Sequence, residues 1–129
     1  MNLARKGYTL VELMIVVSIV GILVTLAIPT FQHSVLKAKE AALKQNLFTL
    51  RGVIDQYYAD KGNYPSNLEK LVEDKYLREI HMDPFTKSST TWEEIFEDQE
   101  AGEEGSPGVY DVKSGSDQMA NDGTPYKNW

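Results

Sequence analysis

The most pronounced pattern in the chain is a long apolar run near its N-terminus. Residues 8–28 contain one charged side chain, Glu12. At about 1.5 Å of helical rise per residue, these 21 residues span roughly 31 Å, which matches the hydrocarbon core of a bilayer. A secretory signal peptide has a shorter apolar core followed by a small-residue cleavage site, and this run has neither feature. The pattern predicts a helix over residues 8–29 that is retained as a membrane anchor.

A second pattern follows the run and predicts a continuation of the same helix. Over residues 30–61, apolar positions recur three and four residues apart with polar residues between them, which is typical of an amphipathic helix. Pro29 removes one backbone donor and predicts a local break rather than an end. Gly62 supplies a C-cap, so the helix should end near Lys61. The apolar positions are Phe31, Val35, Leu36, Ala42, Leu43, Leu47, Leu50, Val53, Ile54, Tyr57 and Tyr58.

Residues 62–129 have weaker patterns and predict a small head. Ser66-Asn67-Leu68-Glu69 has the spacing of a capping box and predicts a short helix through about Asp74. Asp83-Pro84-Phe85 predicts a turn. Two segments, residues 90–96 and 109–113, are the best strand candidates, although the first would also suit a short helix.

These elements predict the fold class α+β, in which a long N-terminal helix packs on a small antiparallel sheet. The charged residues 97–108 would form the loop between the two strands. With 129 residues in all, the chain has room for one small head beside its long helix. That head is too small to form a core alone and should use the amphipathic half of the helix.

Composition narrows the class of protein. The formal net charge is −6, so nucleic acid is an unfavourable partner. The chain contains no cysteine, so no disulfide can fix the head. His33 and His81 have no metal-binding or nucleophile motif around them. The acids from Glu93 to Glu104 are typical of a solvated face, and nothing here predicts an enzyme.

Glu12 is the unusual residue of the anchor. A carboxylate inside a membrane helix costs about 2.5–3.5 kcal/mol on insertion scales and usually has a partner. Arg5 and Lys6 precede the run and predict a cytoplasmic N-terminus. If the chain is cut between Gly7 and Tyr8, the new amine lies one helical turn before Glu12. The acid could pair with its own amine or stay solvated, or it could pair with the amine of a neighbouring subunit and set the register of a filament.

The sequence K-G-Y-T-L-V-E-L-M-I-V-V-S-I-V-G-I-L, residues 6–23, resembles the class III signal of type IV pilins and type II secretion pseudopilins. The resemblance implies that a prepilin peptidase cuts after Gly7 and methylates the new terminal residue, Tyr8. It also implies that Glu12 is the assembly residue. Phenylalanine is usual at the first mature position, where this chain has tyrosine.

The head resembles the major pseudopilin more loosely, through Tyr64-Pro65, Asp83-Pro84-Phe85, residues 110–117 and Asn128-Trp129. That family binds calcium in its C-terminal loop, and calcium prefers oxygen ligands. The resemblance implies a ligand set in this chain, to which Asp111 and Asn121 are possible alternatives. The middle of the head is shorter than usual, and one residue is missing between Ser114 and Asp117. The implied ligands are the Val112 carbonyl, Ser114, Asp117 and Asp122.

The resulting functional hypothesis is a structural subunit of a type II secretion pseudopilus. The implied precursor has a leader (residues 1–7), crosses the bacterial inner membrane once and places its head (residues 62–129) in the periplasm. Its implied partners are further copies of itself, the prepilin peptidase, minor pseudopilins and an inner-membrane assembly platform. The assembled filament would act as a piston that helps to export folded proteins. The alternatives are a type IV pilin for adhesion or motility and a bitopic membrane-anchored binding protein.

Overall fold

The computed structural model describes residues 7–98 and 105–129. Two helices, α1 (Leu10–Lys61) and α2 (Leu68–Glu73), precede two strands, β1 (Glu93–Phe96) and β2 (Val109–Lys113). A single 3₁₀ turn, Tyr126–Asn128, follows them. The chain divides into two compact units, Met1–Lys37 and Ala38–Trp129. Most of the predicted leader and the centre of the predicted charged loop lie outside the described residues.

The first unit contains the apolar part of α1. Its large apolar side chains from Leu10 to Ile28 are 50–73% exposed. Within the described part of the chain, α1 is the one helix that is long and apolar enough to cross a membrane. The predicted local break at Pro29 is absent, because the helix continues through this residue. Proline removes a single backbone donor, and the hydrogen bonds of neighbouring turns maintain the helix.

The second unit has one hydrophobic core, to which α1 contributes one face. The buried residues of α1 are spaced four, three, four and three apart, which confirms an amphipathic helix. Four predicted apolar positions are instead exposed: Phe31, Val35, Ala42 and Tyr58. The core residues are Leu43, Leu47, Leu50, Ile54, Tyr57, Leu68, Leu71, Trp92, Val109, Val112, Ala120 and Tyr126.

The strands form a two-stranded antiparallel sheet with Glu94 opposite Val112 and a bulge between Ile95 and Phe96. β2 has the predicted bounds. β1 is a strand rather than a helix, but it begins three residues later than predicted. Trp92, just before it, is buried, and its indole Nε1 donates to the His81 carbonyl at 2.7 Å. That bond fixes the indole of Trp92 against the segment before Asp83.

The ends of the helices correct one predicted cap and confirm another. α2 begins after Asn67, whose side chain accepts from the Lys70 backbone N–H at 2.8 Å. The predicted capping box with Ser66 as the N-cap residue is therefore wrong, because Asn67 occupies the N-cap position. Gly62 ends α1 as predicted, with a φ of +78° and its N–H on the Tyr58 carbonyl at 2.8 Å.

Candidate functional site

The predicted cleavage point lies in an exposed segment before α1. Gly7, Tyr8 and Thr9 are non-helical and exposed, and the Tyr8 side chain is 89% exposed. A Cβ added to Gly7 would meet nothing within 4 Å. A peptide bond in an exposed, non-helical segment is accessible to a peptidase. Cleavage after Gly7 and methylation of Tyr8 stay predictions.

Glu12 and Thr9 form a reciprocal capping box at the start of α1. The Thr9 backbone N–H donates to the Glu12 Oε2 at 2.8 Å, and the Glu12 backbone N–H donates to the Thr9 Oγ1 at 3.2 Å. This arrangement satisfies two donors that a helix end otherwise leaves free. Sequence reasoning missed the box, although the T-x-x-E spacing is visible in residues 9–12. In the uncut chain, the Glu12 carboxylate is thus held one turn back, at the Thr9 backbone N–H.

Two further hydroxyl groups of the apolar run, those of Ser18 and Thr25, are satisfied inside the helix. Ser18 donates to the Met14 carbonyl at 2.7 Å, and Thr25 donates to the Gly21 carbonyl at 2.8 Å. Such bonds to the preceding turn let hydroxyl side chains lie in an apolar environment. Glu12 therefore remains the residue of this run whose negative charge needs a partner of opposite sign in an apolar environment.

Two of the four predicted calcium ligands are enclosed and bonded elsewhere. The Val112 carbonyl accepts from the Arg51 guanidinium Nη2 at 3.0 Å, and Val112 is fully buried. Ser114 is also fully buried, and its Oγ donates to the Asp83 Oδ2 at 2.5 Å. The same Oγ accepts from the Ser116 N–H at 3.2 Å. Neither oxygen faces an open site.

The other two predicted ligands lie on the surface with partners of their own. The Asp117 side chain is 88% exposed and forms an ion pair with Lys127, whose pKa this carboxylate raises. Asp122 is exposed and accepts from the Thr124 hydroxyl at 2.6 Å and the Thr124 N–H at 2.9 Å. These hydrogen bonds lower the pKa of Asp122.

As arranged here, the four predicted ligands do not fit one calcium coordination sphere. Two are buried against protein partners, and two are exposed and bonded to other side chains. Nor does any group of three or more His, Asp or Glu side chains in residues 7–98 and 105–129 come close enough to hold a metal ion. Of the two alternative ligands, Asp111 pairs with Arg51 at 2.8 Å, and the Asn121 N–H donates to Glu40 at 3.0 Å. Calcium binding stays a prediction.

Three charged side chains bind this tail region instead, of which sequence reasoning had singled out Asp83, and only as part of a turn. Arg51 donates to the Asp111 carboxylate at 2.8 Å and to the Trp129 backbone oxygen at 2.7 Å, besides Val112. Glu40 accepts from the Tyr126 hydroxyl at 2.9 Å. Asp83, the third, is fully buried. Glu40 and Arg51 each precede a buried position of α1 by three residues, a spacing that could have placed them beside the core.

The aromatic residues of the tail complete this packing. Tyr126 is fully buried and stacks on Phe85 with ring centroids 4.0 Å apart. Trp129 meets the edge of Tyr126 at 4.9 Å, and the Lys44 ammonium lies 4.7 Å from the Trp129 ring. Burial, together with the hydrogen bond to Glu40, raises the pKa of Tyr126 to about 12. These contacts join the end of the tail to α1 and to the turn after Asp83.

Two residues of the acidic run have structural roles rather than forming only a solvated face. The Glu94 Oε1 accepts from the Leu68 N–H at 2.9 Å, at the start of α2. The Glu97 Oε1 accepts from the Gly108 N–H at 3.1 Å, just before β2. Glu100, Glu103 and Glu104 lie outside the described residues.

One side-chain polar atom outside the acidic run is buried without a partner in the described part of the chain. The Nδ1 of His81 has no hydrogen-bond partner among these residues.

Two family models match the chain. The model described as the prokaryotic N-terminal methylation motif matches residues 2–28. The model described as type II secretion system protein G matches residues 31–128. The first match covers the apolar run and the Thr9–Glu12 capping box, and the second covers the head through residue 128.

Individual relatives come from both secretion systems and pili. The type II secretion system core protein G of Klebsiella pneumoniae is 30% identical over 97 residues, which are 63% of this chain and 69% of that protein. The fimbrial protein EcpC of Eikenella corrodens is 33% identical over 81 residues, covering 59% and 53%. The type IV major pilin protein PilE1 of Neisseria gonorrhoeae is 31% identical over 90 residues, covering 64% and 54%. The matches span about half the length of the two fimbrial relatives. No solved structure matches.

Proposed function

Because this chain belongs to the type II secretion system protein G family, we propose that it is the major structural subunit of a type II secretion pseudopilus. It is a pilin-like structural protein and not an enzyme. In the proposed role, copies of the chain polymerise through their N-terminal helices into a filament. The growing filament acts as a piston that helps to export folded proteins.

The proposed route begins in the bacterial inner membrane. The apolar part of α1 holds the precursor in the bilayer, and the head lies in the periplasm. A prepilin peptidase removes the leader after Gly7 and methylates Tyr8. An inner-membrane platform then moves the subunit into the filament, where the Glu12 carboxylate pairs with the terminal amine of a neighbouring copy. Minor pseudopilins complete the assembly.

The observation that carries this proposal is the match of the head. The methylation motif in residues 2–28 has a description that names no particular machine. The description of the head match names the type II secretion system, and that match extends over residues 31–128. The apolar, exposed surface of residues 10–28 supports assembly as well, because such a surface needs lipid or other copies to cover it.

A second candidate function is a type IV pilin for adhesion or motility. The observation in its favour is the set of fimbrial relatives, which includes the EcpC and PilE1 proteins. Their matches cover 59–64% of this chain. The third candidate, a bitopic binding protein, requires that the leader stay attached.

Deleting the gene in the bacterium that carries it separates these candidates. We expect proteins that normally reach the medium to accumulate in the periplasm, because export stops without the major subunit. Quantitative proteomics of the medium and the periplasm measures this shift, and the complemented strain is the control. Normal export together with loss of sheared surface filaments and surface motility would contradict the secretion role and support the pilin.

A further inference from the structure

We propose that the C-terminal tail, residues 111–129, is fixed to the rest of the head by three side chains, Glu40, Arg51 and Asp83, and that its structure needs no bound metal ion. We call these three residues the tail lock. Two of them project from α1, and the third follows the loop after α2. Together they hold the start, the middle and the end of the tail.

Arg51 joins the two ends of the tail. Its Nε donates to the Asp111 Oδ1 at 2.8 Å, and its Nη2 donates to the backbone oxygens of Val112 at 3.0 Å and Trp129 at 2.7 Å. A guanidinium is suited to this role because its planar fork presents several donors in fixed directions. Residues far apart along the tail thus converge on one helical side chain.

Asp83 holds the tail where it leaves β2. The Ser114 hydroxyl donates to its Oδ2 at 2.5 Å, while its Oδ1 accepts from the Phe85 N–H at 2.8 Å. Both Asp83 and Ser114 are fully buried. A buried carboxylate requires such hydrogen bonds, so releasing Ser114 would leave an oxygen unsatisfied. This cost favours the closed tail.

Glu40 holds the middle of the tail. One oxygen, Oε1, accepts from the Asn121 N–H at 3.0 Å and from the Tyr126 hydroxyl at 2.9 Å. Between these two contacts the tail closes on itself, since the Ala120 N–H donates to the Thr124 carbonyl at 2.7 Å. The turn is therefore formed by backbone and side-chain hydrogen bonds of the protein.

The charges around the predicted ligands oppose a cation. The Arg51 guanidinium already occupies the lone-pair side of the Val112 carbonyl, and Lys127 already neutralises Asp117. A calcium ion at the Val112 carbonyl would face the Arg51 guanidinium at close range, which costs free energy in a partly buried site. The Lys127–Asp117 pair is exposed and opposes a cation only weakly. Protein cations thus take the positions near the oxygens that a metal would need.

Limited trypsin digestion of the full chain in detergent micelles tests the proposal, because Lys113 lies directly before the buried Ser114. Cleavage after Lys113 requires local opening of the tail, so its rate reports how well the tail is held. We expect the wild-type rate, followed by intact mass, to agree in calcium and in EDTA to within about twofold, a difference of about 0.4 kcal/mol.

The variant Arg51→Lys keeps the positive charge but loses the fork. We expect it to be cleaved after Lys113 about tenfold faster in both buffers, the effect of losing roughly one charge-assisted hydrogen bond. Arg78→Lys, the same change at an exposed arginine, is the matched control and should behave like the wild type. If Arg51→Lys loses its fold, the milder Tyr126→Phe removes one hydroxyl from Glu40 and should open the tail about fivefold faster.

Two results would overturn the proposal. The first is wild-type cleavage that accelerates about tenfold in EDTA and is restored by calcium, which would favour the calcium prediction. The second is an unchanged rate after Lys113 in both Arg51→Lys and Tyr126→Phe. Neither result bears on leader processing or filament formation, so the tail lock and the proposed function stand or fall separately.

Discussion

Replacing Glu12 with alanine is expected to leave a protein that inserts and is processed but forms less than about a tenth of the wild-type filament. The proposed pair between Glu12 and a neighbour's terminal amine is lost, and each 1.4 kcal/mol lost per contact weakens that contact about tenfold. In an apolar environment the unpaired amine adds its own cost. Filament yield after shearing or cross-linking, relative to the membrane pool of processed subunit, measures the effect.

Two further variants separate charge from helix capping at this position. Glu12→Gln retains an oxygen for the Thr9 N–H, since glutamine also completes a capping box, but it carries no charge. If the charge pairs with an amine, Glu12→Gln should assemble as poorly as Glu12→Ala. Ser18→Ala, which removes only a hydrogen bond within the helix, is the control and should assemble normally. Normal filament yield from Glu12→Gln would contradict the pairing and leave capping as the role.

Gly115→Ala is expected to destabilise the head by about 3 kcal/mol or to prevent its folding, as overpacking against fixed backbone does. Gly115 follows the buried Ser114, and a Cβ at this position would collide with the Thr91 carbonyl oxygen. That oxygen belongs to the backbone just before β1, so it cannot rotate away as a side chain would. Thermal unfolding of the chain in micelles, followed by the near-ultraviolet circular dichroism of its tryptophans, measures the loss.

Gly52→Ala provides the matched control for this substitution. Gly52 lies inside α1, and a Cβ there would meet nothing within 4 Å. Alanine in a helix interior is favoured over glycine by about 1 kcal/mol, so this variant should be slightly more stable than the wild type. Equal stability of Gly115→Ala and Gly52→Ala would show that the close approach of Gly115 to Thr91 does not constrain the fold.

The helical half of the fold could be predicted because its signals are local. The apolar run and the spacing of Leu43, Leu47, Leu50 and Ile54 specify α1 and its buried face without reference to other segments. Gly62 specifies its end for the same reason. The start of β1 was predicted three residues too early. The contact of Trp92 with the His81 carbonyl, just before this strand, is a tertiary contact that no local pattern contains.

The tail could not be predicted in the same way. Its sequence is rich in glycine and short polar residues, which form turns readily, and resemblance to a family supplied a ligand set. In the structure the tail is held by Glu40, Arg51 and Asp83. Arg51 lies 60 residues before its partner Asp111, and Glu40 lies 81 residues before its partner Asn121. Pairings over such separations depend on the fold. The Thr9–Glu12 box, in contrast, was visible and overlooked because Glu12 was considered only for its charge.

Intact mass and N-terminal sequencing of the protein from its native membrane test the central claim most directly. The proposed function requires the leader to be removed, because the terminal amine that pairs with Glu12 does not exist in the uncut chain. We predict a chain that starts at Tyr8 and carries one added methyl group. An uncut Gly7–Tyr8 bond throughout the membrane pool would contradict the account and favour a bitopic membrane protein.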